Sequence, residues 1–222
     1  MAGAVAYRDG VERPVPVVAA YRLRDGIYLN LTNRCTLRCS FCPKFHGLWT
    51  VADTRLRLRV MDEPSGAALV RAALDAGPCV EYVFCGLGEP TTRWADLLSV
   101  AAALRPTGTP IRLNTDGLAS LIHGRDVVPE IAGLIDHVSI SLNAADEGTY
   151  GRLCRPSRPG SFAAMLAFAT RCRMYIPRVT LTAISGLPGV DIDACARIAR
   201  DLGVDFRARP LEATNGRSFR VR

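Results

Sequence analysis

Short runs of β-branched and aromatic residues alternate along the chain with longer stretches rich in alanine and leucine. The short runs have the length and composition of strands, and the longer stretches place apolar residues at helical spacing. Strands are predicted at 26–32, 81–85, 111–115, 137–143, 178–185 and 204–209. Helices are predicted at 65–76, 92–104, 161–175 and 191–202. Strands joined by helical crossovers imply a mostly parallel sheet flanked by helices, which is an α/β fold.

The length of the chain fits a single domain, since domains usually span ~50–250 residues. Two Arg-Asp-Gly turns, at Arg8–Gly10 and Arg24–Gly26, precede and border the first predicted strand. The predicted organisation is therefore an N-terminal extension or hairpin at 1–25, a core at 26–211 and a basic C-terminal tail at 212–222.

Composition places the chain among globular proteins. Hydrophobic residues make up 49% and charged residues 22%, which excludes wholesale disorder. No apolar run reaches the ~18–20 residues that a membrane-spanning helix needs, and the first residues lack the pattern of a secretory signal. We therefore expect a soluble cytoplasmic protein with no membrane partner.

The formal net charge of +7 is a weak argument for a nucleic-acid partner. Lys44 is the only lysine, and an Ala- and Arg-rich composition of this kind is what biased codon usage produces whatever the partner. No basic stripe with interleaved aromatic residues stands out. The densest basic tract consists of Arg207, Arg209, Arg217, Arg220 and Arg222. A solvated tail is the favoured interpretation of that tract, and a phosphate contact is the alternative.

Eight cysteines are present, and three of them are clustered as Cys35, Cys39 and Cys42 in a C-x3-C-x2-C pattern. The loop follows a predicted strand, and polar residues separate the cysteines, so three ordinary core cysteines are a poor interpretation. A [4Fe–4S] cluster normally takes four thiolates, so three leave one iron open to another ligand. Structural zinc needs four ligands, and His46 is the candidate for the fourth. The alternative interpretation is therefore a nucleic-acid-binding module that is stabilised by zinc.

Polar and glycine-containing segments follow the other predicted strands. In parallel sheets these segments converge at the carboxyl edge, where ligands bind. Gly86, Gly88 and Glu89 follow the second strand, where glycines permit close approach to a ligand and the carboxylate can accept a hydrogen bond from an amine. The remaining candidates are Asn114 and Asp116 after the third strand, and Ser139, Ser141 and Asn143 in alternation on the fourth.

Together these segments resemble the radical S-adenosylmethionine (SAM) superfamily, whose CxxxCxxC loop holds a [4Fe–4S] cluster with one open iron. The resemblance implies a partial (β/α)6 barrel in which Cys35, Cys39 and Cys42 ligate the cluster and Glu89 holds the amine of SAM. Reductive cleavage of SAM then gives a 5′-deoxyadenosyl radical. The implied cofactor contacts are Phe41, Gly86, Gly88, Glu89, Asn114, Asp116, Ser141, Asn143, Arg152, Arg155 and Ile184. An electron donor such as flavodoxin or ferredoxin is the implied partner.

Within that superfamily the chain is most similar to the small TatD-associated radical SAM family. The similarity rests on the segments YLNLTNRCTLRCSFCPKFHGLW, FCGLGEPT, LNTDGLASLIHGRDVVPE, SLNAADEGTYGRLCRP and FRARPLE. The substrate remains open between a small nucleotide-like molecule, slightly preferred, and a peptide or protein. Cys85 and Cys154 adjoin motifs of the site, so each is a candidate hydrogen-atom relay or thiol ligand.

Overall fold

The computed structural model describes the backbone of residues 5–8, 11–14 and 17–211, and the side chains of 17–211. The strands in chain order are β1 (Val5–Arg8), β2 (Val11–Pro14), β3 (Ala20–Leu23), β4 (Gly26–Leu29), β5 (Thr50–Val51), β6 (Thr54–Arg55), β7 (Glu81–Phe84), β8 (Ile111–Thr115), β9 (His137–Ser141), β10 (Arg178–Ser185) and β11 (Asp205–Pro210). The α-helices are α1 (Gly66–Asp75), α2 (Trp94–Leu104), α3 (Ala119–His123), α4 (Val128–Ile131), α5 (Glu147–Cys154), α6 (Ser161–Arg173) and α7 (Ile192–Leu202). Among the described residues, no helix combines the length and the apolar character needed to cross a bilayer.

A seven-stranded sheet in the order β11-β10-β9-β8-β7-β4-β3 forms the centre of the fold. The strands from β4 through β11 in this sheet pair in parallel, and β3 adds an antiparallel strand at the β4 edge. Residues 20–23, placed by sequence in the N-terminal extension, therefore belong to the sheet. The parallel strands alternate with helices as a partial (β/α)6 barrel, which confirms the predicted fold class. The predicted domain limits stay a prediction, and the tail at 212–222 lies outside the described residues.

Local sequence explains where the helices begin and end. The side chains of Ser65, Asp146 and Asp191 cap α1, α5 and α7 by accepting hydrogen bonds from backbone N–H groups in the first turn of each helix. Such caps satisfy donors that have no partner inside the helix. Gly203 ends α7 with a left-handed φ of 67°. The four helices predicted from spacing are all present. The short helices α3 and α4 and the helix α5 are not predicted by the sequence, and the segment of α5 resembles a polar loop.

The two faces of the sheet differ in polarity. Leu113, Val138, Ile140 and Leu181 are fully buried and belong to the hydrophobic core. Because side chains alternate along a strand, the opposite face holds a polar set: Arg112, Asn114, Ser139, Ser141, Thr180 and Thr182. This second face is the concave side of the partial barrel.

The turn after β7 packs tightly against the cysteine-containing loop that follows β4. The N–H of Glu89 donates to the carbonyl of Arg34 at 2.7 Å. A Cβ on Gly88 would lie 2.3 Å from the Thr32 carbonyl and 2.5 Å from the Arg34 carbonyl, and one on Gly86 would lie 2.6 Å from Asn30 Oδ1. From the sequence, these glycines are expected to permit close approach of a ligand. In the structure, the close approach that requires them is between the turn and this loop.

Replacing Gly88 with alanine therefore tests how the loop is held. We expect Gly88→Ala to lower the free energy of unfolding by about 3 kcal/mol, because the neighbouring atoms are backbone and cannot rotate away. Gly151→Ala is the matched control: nothing lies within 4 Å of its added Cβ, and alanine is favoured over glycine inside a helix by about 0.5–1 kcal/mol. Urea denaturation of both variants measures the difference. Equal stabilities would contradict the packing.

Candidate cofactor-binding site

The three clustered cysteines lie on the loop that begins at the carboxyl end of β4. Cys35 is exposed, Cys39 and Cys42 are partly buried, and all three thiols are free of disulfides. The N–H of Cys42 donates to the Cys39 carbonyl at 3.0 Å, and a 3₁₀ turn at Pro43–His46 follows. Local turns thus keep the three cysteines close together at one edge of the sheet.

The C-terminal end of α5 holds the other side of this loop. The N–H of Arg38 donates to the Cys154 carbonyl at 3.0 Å, and the N–H of Ser40 donates to the Leu153 carbonyl at 2.8 Å. An isolated antiparallel bridge joins Leu37 to Pro156. Because backbone groups make these contacts, they fix the path of the cysteine loop relative to α5.

The donor set fits an iron–sulfur cluster in chemical type. Iron–sulfur clusters are held by cysteine thiolates, and metal binding releases the thiol protons. Although the Cys35 residue as a whole is exposed, protein atoms surround its thiol. This desolvation, together with the nearby carboxyl groups of Asp116 and Glu89, raises the pKa of Cys35, and desolvation also raises the pKa of Cys42. In the described residues, no three His, Cys, Asp or Glu side chains already converge as a metal site.

Glu89 is buried, with 3% of its surface exposed. Its Oε1 accepts hydrogen bonds from the N–H of Thr91 at 3.1 Å and from the hydroxyls of Thr91 and Thr115 at 2.8 Å each. Its Oε2 accepts one from the N–H of Asp116 at 2.7 Å. Since a carboxylate oxygen has two lone pairs, Oε2 keeps one for a further donor. Burial and the nearby Asp116 raise the pKa of Glu89 to about 8.

Asp116 joins the cysteine loop to the end of β8. Its carboxylate accepts hydrogen bonds from the Thr36 hydroxyl and from the N–H of Leu118. Burial raises the pKa of Asp116. The buried carboxyl groups of Glu89 and Asp116 lie beside three thiols. A cationic ligand is favoured at this place, because a positive charge stabilises the ionised forms of the carboxyl and thiol groups. A SAM amine is a ligand of that kind.

The polar row predicted on β9 is interrupted at its end. Ser139 and Ser141 belong to the strand, but β9 stops at Ser141, and Asn143 adopts a left-handed φ of 57°. The N–H groups of Leu142 and Asn143 both donate to the Thr182 carbonyl. The prediction of a strand at 137–143 with three side chains on one face is therefore wrong at Asn143. Its side chain turns toward Cys154, with Nδ2 4.0 Å from Sγ.

The remaining predicted contacts are spread over the same edge and the concave face. Asn114 lies on the concave face, where Oδ1 accepts a hydrogen bond from Arg112 at 3.2 Å. Arg152 and Arg155 line an open groove of about 580 Å³ between α5 and the loop containing Gly189. Ile184 is buried near the end of β10, and Phe41 packs against the core. The structure thus brings Glu89 and Asp116 to the cysteine loop. Arg155 contacts the same loop through its backbone, because its carbonyl accepts a hydrogen bond from the N–H of Arg38 at 3.3 Å.

The two cysteines singled out near the motifs have different surroundings. Burial raises the pKa of Cys85, while Asn114 and the guanidinium groups of Arg112 and Arg209 oppose that rise. Because Asn114 and Arg112 lie on the concave face, the Cys85 thiol lies there too. Cys154 is completely buried behind the cysteine loop. A role as a relay to substrate remains a prediction for Cys85, and the burial of Cys154 argues against that role there.

Three side chains of this site are not among the residues that the sequence predicts: Thr36, Thr115 and Tyr150. Thr36 donates to Asp116, and Thr115 donates to Glu89. Burial raises the pKa of Tyr150, and the nearby Cys154, Asp116, Cys39 and Cys35 add to this rise. Thr36 and Thr115 sit inside motifs already recognised, but their contacts join loops distant in sequence, so only the fold reveals them.

Glu89→Gln tests the arrangement of donors around this carboxylate. Backbone N–H groups donate to both oxygens of Glu89, but the amide of glutamine has only one acceptor oxygen. In the variant, the NH₂ group of the amide therefore faces a backbone N–H, and both of these buried groups are donors. We expect the free energy of unfolding to fall by about 1–3 kcal/mol, as for a buried polar group without a partner. Urea denaturation of the cluster-free protein measures this change. A variant as stable as the parent would contradict the geometry.

Comparisons with known proteins identify the family. A family model described as the radical SAM superfamily matches residues 29–202. The PqqA peptide cyclase of Methylobacterium sp. (strain 4-46) is 30% identical over 195 residues, which are 86% of this chain and 46% of that protein. The GTP 3′,8-cyclase of Corynebacterium glutamicum is 29% identical over 196 residues, 84% of this chain and 48% of that protein. The chain thus spans about half the length of the curated relatives it matches.

Solved structures support the fold independently. TYW1 with a lysine–pyruvate adduct bound has a TM-score of 0.59 at 13% identity, covering 84% of this chain and 64% of that one. Streptococcus suis SuiB bound to S-adenosylmethionine has a TM-score of 0.58 at 16% identity, covering 85% of this chain and 39% of that one. The narrower resemblance to the TatD-associated family stays a prediction. The chain belongs to the radical SAM superfamily, whose enzymes use a [4Fe–4S] cluster and S-adenosylmethionine.

Proposed function

We propose that this chain binds a [4Fe–4S] cluster through Cys35, Cys39 and Cys42 and uses SAM to act on a small nucleotide-like substrate. When bound, the cluster supplies the electron that cleaves SAM to methionine and a 5′-deoxyadenosyl radical. The observation that supports this function best is the position of the cysteine loop. Its thiols lie beside the buried Glu89–Asp116 pair at the carboxyl edge of the sheet.

The chain's own residues have separate tasks in this function. The cysteine loop provides thiolates, and the contacts of its backbone with Leu153 and Cys154 limit its movement. Glu89 has one lone pair available for the amine of SAM, and Asp116 adds negative charge next to it. We place the electron donor, of the flavodoxin or ferredoxin type, at this same edge because the electron enters through the cluster.

The charge of the concave face supports an anionic substrate. Arg207 and Arg209 on β11 align with Thr182 and Ile184 on β10, which places both arginines on the concave face. Arg112 lies on the same face, and its charge is balanced by Glu81 at 2.5 Å. Burial and the nearby Arg178, Arg112 and Arg207 lower the pKa of His137 to about 4. Positive charge on this face favours phosphate or carboxylate groups.

The names of the relatives leave the substrate class open. One is named for a peptide and the other for a guanine nucleotide, at nearly the same identity to this chain. The positive concave face therefore carries the preference for a nucleotide-like molecule.

The zinc-stabilised nucleic-acid-binding module has less support. His46 Nε2 contacts the Ser40 carbonyl at 2.6 Å, within its own loop. That interpretation also leaves the buried carboxyl pair and the polar concave face without a role.

Cysteine variants test the cluster ligands. After reconstitution with iron and sulfide without oxygen, we expect about four irons per chain and the brown colour of a [4Fe–4S] protein. Cys35→Ala, Cys39→Ala and Cys42→Ala should each lose most of this iron, because each removes one of three ligands. Cys195→Ala is the control, since Cys195 is buried in α7. Full iron retention in Cys39→Ala, or stoichiometric zinc in protein purified without oxygen, would refute the assignment.

Nucleotide binding tests the proposed substrate class. We expect ATP, GTP, CTP or UTP to bind the cluster-loaded protein more tightly than its nucleoside does, with Arg209→Gln weakening the best binder about tenfold, equal to about 1.4 kcal/mol. Arg200→Gln, at the end of α7, is the control with the same change in net charge. Equilibrium dialysis at low and high salt measures the affinities. Equal losses in both variants would contradict a specific anion site.

A further inference from the structure

A second buried thiol lies directly behind the cysteine loop. Cys154, the last residue of α5, has no exposed surface. Its thiol lies close enough to that of Cys39 for the two to interact, and this interaction, ahead of burial, raises the pKa of Cys39. The loop backbone is bonded to the Cys154 carbonyl as well, so the pair is fixed by main-chain contacts.

The direction of the hydrogen bonds follows from their donors. Asn143 Nδ2 can only donate, and it lies 4.0 Å from Cys154 Sγ. The Cys154 sulfur therefore accepts from Asn143, which leaves its own proton to donate to the Cys39 sulfur. The left-handed backbone of Asn143 places its amide at this point, although such a conformation is uncommon for residues other than glycine.

Two buried polar atoms at this place have no hydrogen-bond partner among the described residues. They are the Tyr150 hydroxyl, on a side chain that is 1% exposed, and Asn143 Oδ1, on a side chain that is 3% exposed. The Tyr150 hydroxyl lies near Cys154, Cys39 and Cys35. Asn143 Oδ1 can only accept, whereas the Tyr150 hydroxyl is a donor. A buried donor without a partner is unfavourable by about 1–3 kcal/mol, so the Tyr150 hydroxyl points to an acceptor that arrives with a ligand. Thiolate and sulfide sulfurs of a cluster are acceptors of that kind.

We propose that Cys154 is a positioning residue that donates a hydrogen bond to the sulfur of Cys39 when this sulfur ligates the cluster. Asn143 orients the Cys154 thiol by donating to it, and the Tyr150 hydroxyl is a second donor toward the sulfurs of the site. The inference rests on the proposed function. Hydrogen bonds to cluster sulfurs raise the reduction potential, because they stabilise the additional negative charge of the reduced state. Cys154 would thereby make the cluster easier to reduce, and its contact would limit the rotation of the Cys39 side chain.

Potentiometric titration of the reconstituted cluster, followed by electron paramagnetic resonance, tests the role of Cys154. In Cys154→Ala we expect the cluster to remain, with the equilibrium constant for its one-electron reduction about tenfold smaller, a shift of about 59 mV toward more negative potential. Cys154→Ser keeps a hydroxyl group that can donate a hydrogen bond, so its reduction potential should equal that of the parent protein. Tyr150→Phe should shift the potential in the same direction as Cys154→Ala. Cys172→Ala removes an equally buried cysteine in α6 and should change nothing.

The outcomes separate the inference from the function on which it rests. A potential in Cys154→Ala equal to that of Cys172→Ala, with parental iron content, overturns the role of Cys154 and leaves the cluster assignment intact. If Cys154→Ala does not fold, an unchanged potential in Tyr150→Phe overturns the proposed donor set. A parent protein that takes up no iron overturns the proposed function itself, and the inference with it.

Discussion

The fixed position of the cysteine loop is the constraint on which the rest of the site depends. On one side the turn containing Gly88 lies against the Thr32 and Arg34 carbonyls, where even a methyl group has no space. On the other side the end of α5 is bonded to Arg38 and Ser40. A loop held in this way brings soft thiol ligands to one edge of the sheet without a helix or strand of its own. Ligand positions set by the backbone lose less entropy on cluster assembly.

Charge divides the molecule between its carboxyl edge and its concave face. The edge combines Glu89 and Asp116 with the thiols, so it favours cations. The concave face displays Arg207 and Arg209, so it favours anions. A cationic cofactor and an anionic substrate would thus be attracted to adjacent places by opposite fields. Cys85 lies between them, with Arg209 and Glu89 both contributing to its pKa.

Much of the fold was predictable because strand and helix periods are local properties of sequence. The periods predict the order of strands and helices, and local motifs predict the cysteine loop and the glycine turn. Other features depend on contacts between distant segments. Glu89 Oε1 accepts hydrogen bonds from Thr91 and Thr115. The bond from Thr115 forms only because the end of β8 lies beside the turn that contains Glu89. Strand β9 ends before Asn143, which has a left-handed backbone, although the alternation of polar residues continues to that position. Helix α5 has a polar sequence, and its start depends on the cap by Asp146.

Cleavage of SAM tests the central claim most directly. The reconstituted protein, kept without oxygen and supplied with SAM and a strong reductant, should form 5′-deoxyadenosine and methionine, measured by mass spectrometry. We predict that formation depends on each of Cys35, Cys39 and Cys42 and persists when Cys195 is replaced. A protein fully loaded with [4Fe–4S] cluster that binds SAM in a separate titration and yet forms no 5′-deoxyadenosine, with or without nucleotides present, would contradict the account.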